Sequence, residues 1–173
     1  MIGNLLRVSK NELEEYLEDS TLFEQRIYPE EEDHEGDDIE DENLLDIDKA
    51  WEGIFYLLTG FNLAEAENAT PPLSWSFFSG QILDEEQDVG YGPANYCLPE
   101  QVKEVALALK NMPSNELKKN YDAVKMDELE IYPFGWAADT DGGFEYLSHH
   151  YECLRDFFEV AAKNDQAVIT FLN

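Results

Sequence analysis

Basic residues are scarce in this chain of 173 residues, which has 11 Lys and Arg against 39 Asp and Glu and a formal net charge of −28. Lys and Arg are the side chains that neutralise the phosphates of nucleic acids, so the composition predicts no nucleic-acid partner and no association with anionic membranes. Long-range attraction favours cations and basic proteins instead, and salt weakens it. The charge indicates either a solvated, solubilising surface or a surface for a basic protein partner.

Cysteines and long apolar runs are also missing. Cys97 and Cys153 are too few for a disulfide scaffold, so both are expected to be reduced thiols. No stretch approaches the roughly 18 apolar residues of a membrane-spanning helix. The start of the chain lacks the basic-then-apolar order of a signal peptide. These absences predict a soluble protein in the cytoplasm.

What the chain does contain is enough apolar material for a core, since 43% of its residues are hydrophobic and 13% are aromatic. Its length fits one domain, which we take to span residues 1–173. Residues 30–48 hold 12 acids and no Lys or Arg. Because like charges at this density oppose packing, we predict a mobile acidic loop over about residues 30–42.

The apolar periodicity predicts an α+β domain, with a small mixed sheet of short strands packed against several helices. Strands are expected at both ends, over 2–8 and 167–172. Ser9 and Glu12 have the spacing of a capping box, and Gly60 is placed to end a helix. Further expectations are a strand over 73–80, a helix opening at Pro99, an extended stretch over 130–134, a turn over 139–143 and a long helix from Phe144.

Several motifs, in the same order along nearly the whole chain, resemble the YfbM-like bacterial family. They are IGNLLRVS (2–9), LDIDKAWEGI (45–54), LLTG (57–60), GYGPA (90–94), LPEQV (98–102) and EIYP (130–133), followed by Trp136. Leu98 departs from the family pattern, which has a small hydroxylated residue before the proline. The resemblance implies a cytoplasmic α+β domain of this size, and it implies no established activity.

An aromatic and polar set beside the tight turns is a candidate ligand pocket, because aromatic walls with a few polar tips suit small ligands. Ordinary core and rim packing is the simpler explanation of the same residues. The candidate residues are Trp51, Tyr91, Tyr96, Tyr132, Trp136 and His149, with His150 adjacent.

Motifs for covalent or metal chemistry are lacking. His149 and His150 point about 100° apart on a helix, so they cannot share an ion, and no zinc spacing occurs. Residues 139–143 open like a calcium loop but lack its later ligands. There is no nucleophile elbow and no phosphate-binding glycine pattern. The sequence therefore predicts no metal and no cofactor, and it assigns no catalytic residue.

Three functional hypotheses remain open. The first is a non-enzymatic, immunity-like protein-binding domain that engages a basic partner through its acidic surface. The second is a small-molecule-binding domain or enzyme with an aromatic-lined pocket. The third is a structural domain with no specific ligand. The sequence does not predict an oligomeric state.

Overall fold

A computed structural model describes residues 1–29 and 41–173. Most of the predicted acidic loop, residues 30–40, lies outside the described residues. Four strands and seven α-helices form the described part, with short 3-10 turns between them. They are β1 (Gly3–Val8), α1 (Lys10–Glu18), α2 (Ser20–Ile27), β2 (Leu44–Asp46), α3 (Trp51–Thr59), β3 (Asn95–Cys97), α4 (Pro99–Lys110), α5 (Ser114–Leu117), α6 (Ala123–Glu128), α7 (Thr140–Lys163) and β4 (Ala167–Leu172).

The two terminal strands form the centre of a four-stranded sheet with the order β2-β1-β4-β3. β1 pairs with β4 along its whole length, from Gly3 opposite Leu172 to Val8 opposite Ala167. The α+β class and both terminal strands are confirmed. A mixed sheet was expected, but every pair in the described sheet is antiparallel.

Successive side chains of the central strands point to opposite faces of the sheet, and each face carries its own core. Leu5 and Val168 face the larger core, which is closed by α3, α4 and α7. Leu6 and Ile169 face the smaller core, which is closed by α1, α2 and residues 82–94. The sheet therefore separates a thick helical layer from a thin cover.

The thin cover is anchored by Phe23 on α2, whose side chain is fully buried. Its ring meets Phe171 of β4 edge-on at 5.5 Å between centroids and Tyr16 of α1 at 5.8 Å. Such aromatic pairs add to the free energy gained by burying their area. Phe23 thus joins both short helices to the sheet.

Local capping chemistry sets several helix ends as predicted. The Ser9 hydroxyl accepts from the Glu12 amide at 3.2 Å, and the Glu12 carboxylate accepts from the Ser9 amide at 2.7 Å. Gly60 ends α3 with φ of 82°, in the region that favours glycine. Leu98 has no capping side chain, and the Gln101 side chain compensates by accepting from the Leu98 amide at 2.9 Å.

The predicted strand over 73–80 is wrong, because Leu73–Ser76 forms a 3-10 helix. The alternation of serine with Trp75 and Phe77 resembled a half-buried strand. In the structure the serines themselves are buried. The Ser76 hydroxyl donates to the Leu73 carbonyl at 2.7 Å, so the serine is satisfied locally and does not need to face water.

Two more predictions are corrected near the C-terminal half. Residues 130–134 form turns, in which Glu130 and Phe134 have left-handed backbone (φ 54° and 74°), and not an extended stretch. The long helix starts at Thr140 and absorbs the predicted turn over 139–143. The Asp139 carboxylate accepts from the Gly142 amide at 3.1 Å, and this cap lets two glycines enter the first turn.

Candidate functional site

The thin cover of the sheet carries a strongly one-sided charge. Residues 10–28 and 82–98 together hold ten carboxylates against two bases, Lys10 and Arg26, and Arg26 is paired with Asp41. We call this surface the acidic face. Its acids are Glu12, Glu14, Glu15, Glu18, Asp19, Glu24, Asp84, Glu85, Glu86 and Asp88.

Hydrogen bonds join the two segments of the acidic face into one surface. The Ser20 hydroxyl donates to the Asp84 carboxylate at 2.6 Å, and the Gln87 side-chain amide donates to the Ser20 carbonyl at 2.9 Å. The Tyr28 hydroxyl donates to the Val89 carbonyl at 2.8 Å. The segment 82–98 is therefore held against α2, so its carboxylates add to those of the helices.

Two leucines stand among these carboxylates with much of their surface in water. Leu17 near the end of α1 is 41% exposed, and Leu22 in the first turn of α2 is 39% exposed. They lie on either side of the short connection at Asp19, and Glu18 and Asp19 stand between them in the sequence. Exposed apolar side chains together with charged ones are a feature of protein-binding surfaces.

Beside the acidic face, Tyr91 covers a cavity of about 50 Å³ at the edge of the sheet. A single water needs on the order of 10–15 Å³ by this measure, so the cavity has room for a few atoms the size of a water molecule. Tyr91 itself is 59% exposed, and its amide donates to the Leu172 carbonyl at 3.0 Å. The lining residues are Gly3, Asn4, Phe77, Phe78, Tyr91, Pro93, Asn95, Thr170, Phe171 and Leu172.

The loop that presents Tyr91 is held by Asp88. One oxygen of its carboxylate accepts from the Gly90 amide at 2.9 Å and from the Gly92 amide at 3.0 Å. Both glycines have positive φ, 132° and 94°, so the turn depends on them. The two backbone hydrogen bonds lower the pKa of Asp88 below its ordinary 3.8.

This shift predicts an acid limit for the Tyr91 loop. Because the pKa of Asp88 is lower in the folded state, its stabilising contribution is present above pH 3.8 and is lost as pH falls through the folded pKa. We expect the Gly90 and Gly92 amide resonances to shift together at acid pH. The Asp88→Asn variant should not show this acid-induced shift of the two amide resonances. The control variant Asp122→Asn, which changes another exposed acid, should still show it. Persistence of the transition in Asp88→Asn would contradict the assignment.

A larger cleft of about 340 Å³ adjoins the Tyr91 cavity and shares Phe78 and Asn95 with it. Trp75 and Pro71 form apolar parts of its wall. The Cys97 thiol on the neighbouring strand donates to the Trp75 carbonyl at 3.3 Å, and burial raises its pKa to about 12. That thiol is therefore a packing group and is poorly suited to act as a nucleophile.

The structure brings only part of the predicted pocket together. Trp51 is fully buried, and its ring lies 6.1 Å from that of Tyr132 and 6.3 Å from that of Phe78. Phe78 lines the Tyr91 cavity, so Trp51 lies behind that cavity and not in it. Of the six predicted site residues, Tyr91 alone lines the cavity.

The other three predicted residues lie elsewhere. Trp136 is buried against α3, and its indole N–H donates to the Ile131 carbonyl at 2.8 Å. Tyr96 lies in β3 and packs against the smaller core. His149 is exposed on α7 beside His150. These placements match ordinary packing and surface roles.

A polar cluster that the sequence did not indicate lies around Tyr146 of α7. Its hydroxyl donates to Asp48 at 2.9 Å, and the His150 ring meets the tyrosine edge-on at 4.8 Å. Burial and the bond to Asp48 raise the pKa of Tyr146, and burial lowers the pKa of His150 with a smaller effect from His149. The bond from Tyr146 ties α7 to the short 3-10 turn that precedes α3.

Within residues 1–29 and 41–173 no three His, Cys, Asp or Glu side chains are grouped so that they could hold a metal ion. Cys97 and Cys153 are both free thiols. No described helix is long and apolar enough to cross a membrane.

Comparison with known proteins agrees with the fold. A crystal structure of YfbM from Escherichia coli, a protein of unknown function, superposes with a TM-score of 0.72 at 20% identity over 98% of each chain. At that identity the likeness shows the fold alone. No curated protein matches the sequence. The model of a domain of unknown function, DUF1877, matches residues 1–171. The chain therefore belongs to this YfbM-like family, DUF1877.

Proposed function

We propose that this chain is a non-enzymatic protein-binding domain whose acidic face engages a basic partner protein. One observation carries the proposal. Hydrogen bonds join residues 10–28 to residues 82–98, and these two segments hold ten carboxylates against two bases, Lys10 and Arg26, together with the exposed Leu17 and Leu22. Charge and exposed apolar surface thus occur on the same side of the sheet.

The two features have different physical roles in association. A concentrated field of one sign speeds the encounter with an oppositely charged protein and depends strongly on salt. Exposed leucines supply apolar area that is removed from water at contact, which contributes to the lifetime of a complex. A surface that served solubility alone would need the carboxylates but not the leucines.

The distribution of the basic residues also supports the proposal. The chain has no Lys or Arg between Lys49 and Lys103. Seven of its eleven bases lie in the thick helical layer on the other side of the sheet, where they partly neutralise the negative charge. They are Lys103, Lys110, Lys118, Lys119, Lys125, Arg155 and Lys163.

The test compares two triple variants of equal charge. Glu15→Lys, Glu18→Lys and Glu85→Lys change the acidic face, whereas Glu100→Lys, Glu104→Lys and Glu128→Lys change exposed acids elsewhere. Each reversal adds two units, so both variants move from −28 to −22. Tagged proteins are used to capture partners from cells at low and high salt, and the captured proteins are quantified by mass spectrometry.

We expect a lysine- and arginine-rich protein to be captured by the wild type and by the control variant. The variant of the acidic face should retain it about tenfold less, because three contacts change from attraction to repulsion. High salt should lower capture by the wild type. Equal retention by both variants, or a partner that is not basic, would show that the acidic face is not the binding surface.

A small-ligand function is the second candidate, and the cleft beside Trp75 is the observation that favours it. Its volume of about 340 Å³ lies at the lower end of the range of small-molecule sites. If the cleft binds a metabolite, that metabolite should raise the thermal unfolding temperature of the wild type. Trp75→Ala should reduce this increase, and the charge variants of the acidic face should not change it. The acidic face and the cleft can therefore be tested separately.

A further inference from the structure

The buried polar side chains of the Tyr91 cavity have used all their hydrogen-bond donors. The Asn4 side chain is 7% exposed, and its amide N–H groups donate to the Asn173 side chain at 2.9 Å and to the Ile2 carbonyl at 3.3 Å. Thr170 is also 7% exposed, and its hydroxyl donates to the Phe77 carbonyl at 2.7 Å.

Only acceptors remain on these two groups. An amide oxygen has two lone pairs, and in the described part of the chain no group donates to the Asn4 oxygen. The hydroxyl oxygen of Thr170 can likewise still accept. A ligand that makes hydrogen bonds to both side chains must therefore supply the donors.

The remaining walls are suited to a flat cationic group. The lining includes the aromatic residues Tyr91 and Phe78, of which Tyr91 is largely exposed, and no lining residue is a base. Cations are attracted to aromatic faces, and guanidinium groups also stack on them because they are planar. Asp88, two residues from Tyr91, and the rest of the acidic face add a negative field.

We infer that the Tyr91 cavity receives the guanidinium of an arginine side chain carried by the basic partner. Five N–H donors and no acceptor make arginine complementary to the acceptor atoms of Asn4 and Thr170. The cavity of about 50 Å³ admits a head group of a few heavy atoms and excludes larger rings. The inference rests on the proposed function, because the acidic face is what brings a basic protein to the cavity.

The direct test uses blocked single amino acids as probes. N-acetyl-arginine methylamide is titrated into the isotope-labelled protein, and N-acetyl-citrulline methylamide, which has the same shape without the charge, is the matched control. We expect arginine to shift the Asn4 side-chain and Thr170 amide resonances with a Kd on the order of millimolar. Citrulline should shift them much less, and the lysine analogue should bind more weakly than arginine.

A pair of aromatic variants tests the wall of the cavity. Tyr91 and Phe134 are 59% and 60% exposed, so truncating either should leave the fold intact. Tyr91→Ala should weaken arginine binding by about three- to fivefold, the size of an exposed cation–π contact. Phe134→Ala should leave it unchanged. No arginine-dependent shift at the cavity, or equal weakening by both variants, would overturn the inference.

The same variants separate this inference from the proposed function. If Tyr91→Ala reduces capture of the basic partner and Phe134→Ala does not, the partner's arginine occupies the cavity. If charge reversal of the acidic face abolishes capture and Tyr91→Ala has no effect, the inference fails and the proposed function stands. If free arginine binds the cavity but neither change affects capture, the cavity serves a small cationic ligand, and both claims about the partner are wrong.

Discussion

Replacing Glu52 by alanine is expected to lower the free energy of unfolding by about 3 kcal/mol. Glu52 is 5% exposed on α3, an unusual place for a carboxylate. One of its oxygens accepts from the Leu63 amide at 2.8 Å, and the other accepts from the Tyr132 amide at 3.0 Å. Alanine would leave both buried amides without a partner and would remove two charge-assisted hydrogen bonds.

Chemical denaturation measures the change, and two further variants define its cause. Glu52→Gln keeps one acceptor oxygen and should lose less stability than alanine. Glu67→Ala removes an exposed acid from the adjoining 3-10 turn and should change stability by no more than about 0.5 kcal/mol. A loss of less than 1 kcal/mol in Glu52→Ala would mean that water replaces the carboxylate.

Replacing Phe23 by alanine is expected to cost about 4 kcal/mol, the range found when a buried phenylalanine is truncated. Its ring is fully buried and contacts Tyr16 and Phe171. The smaller core has few large side chains, so little can move in to fill the space. We expect hydrogen exchange to increase in α1 and α2 before it increases in the thick helical layer.

Phe23→Ala should also reduce binding of the basic partner, because α1 and α2 carry half of the carboxylates of the acidic face. Leu107→Ala is the control, since Leu107 is 61% exposed on α4 and its truncation should be nearly neutral. Uniform exchange over the whole chain in Phe23→Ala would show that the two cores unfold as one unit. A stability change below about 1.5 kcal/mol would show that the smaller core relaxes around the cavity.

The sequence correctly predicted the helix ends and strands that are determined by residues close together in the chain. Three helix ends lie where expected: the capping box at Ser9 begins α1, Gly60 ends α3 and Pro99 begins α4. Each of them depends only on neighbouring residues. The strands at 3–8 and 167–172 are long enough to show their pattern. β2 and β3 have three residues each, too few for any periodicity to be visible.

The candidate site was only partly predictable because its causes are not local. The excess of carboxylates is visible in the sequence, but its concentration on one surface depends on the Ser20–Asp84 contact across 64 residues. Tyr91 was among the predicted pocket residues. Its partners Asn4 and Thr170 were not, since only the pairing of β1 with β4 brings them together.

The central position of β4 has a consequence for biosynthesis. β4 pairs with both β1 and β3, and it is translated after every other strand and helix of the fold. Until Ala167–Leu172 leaves the ribosome tunnel, β3 lacks its strand partner and keeps only the bridge from Asn95 to Ile82, and both cores lack one wall. The nascent chain therefore emerges with the apolar faces of both layers uncovered, and surface of this kind is what makes incompletely folded chains prone to aggregate.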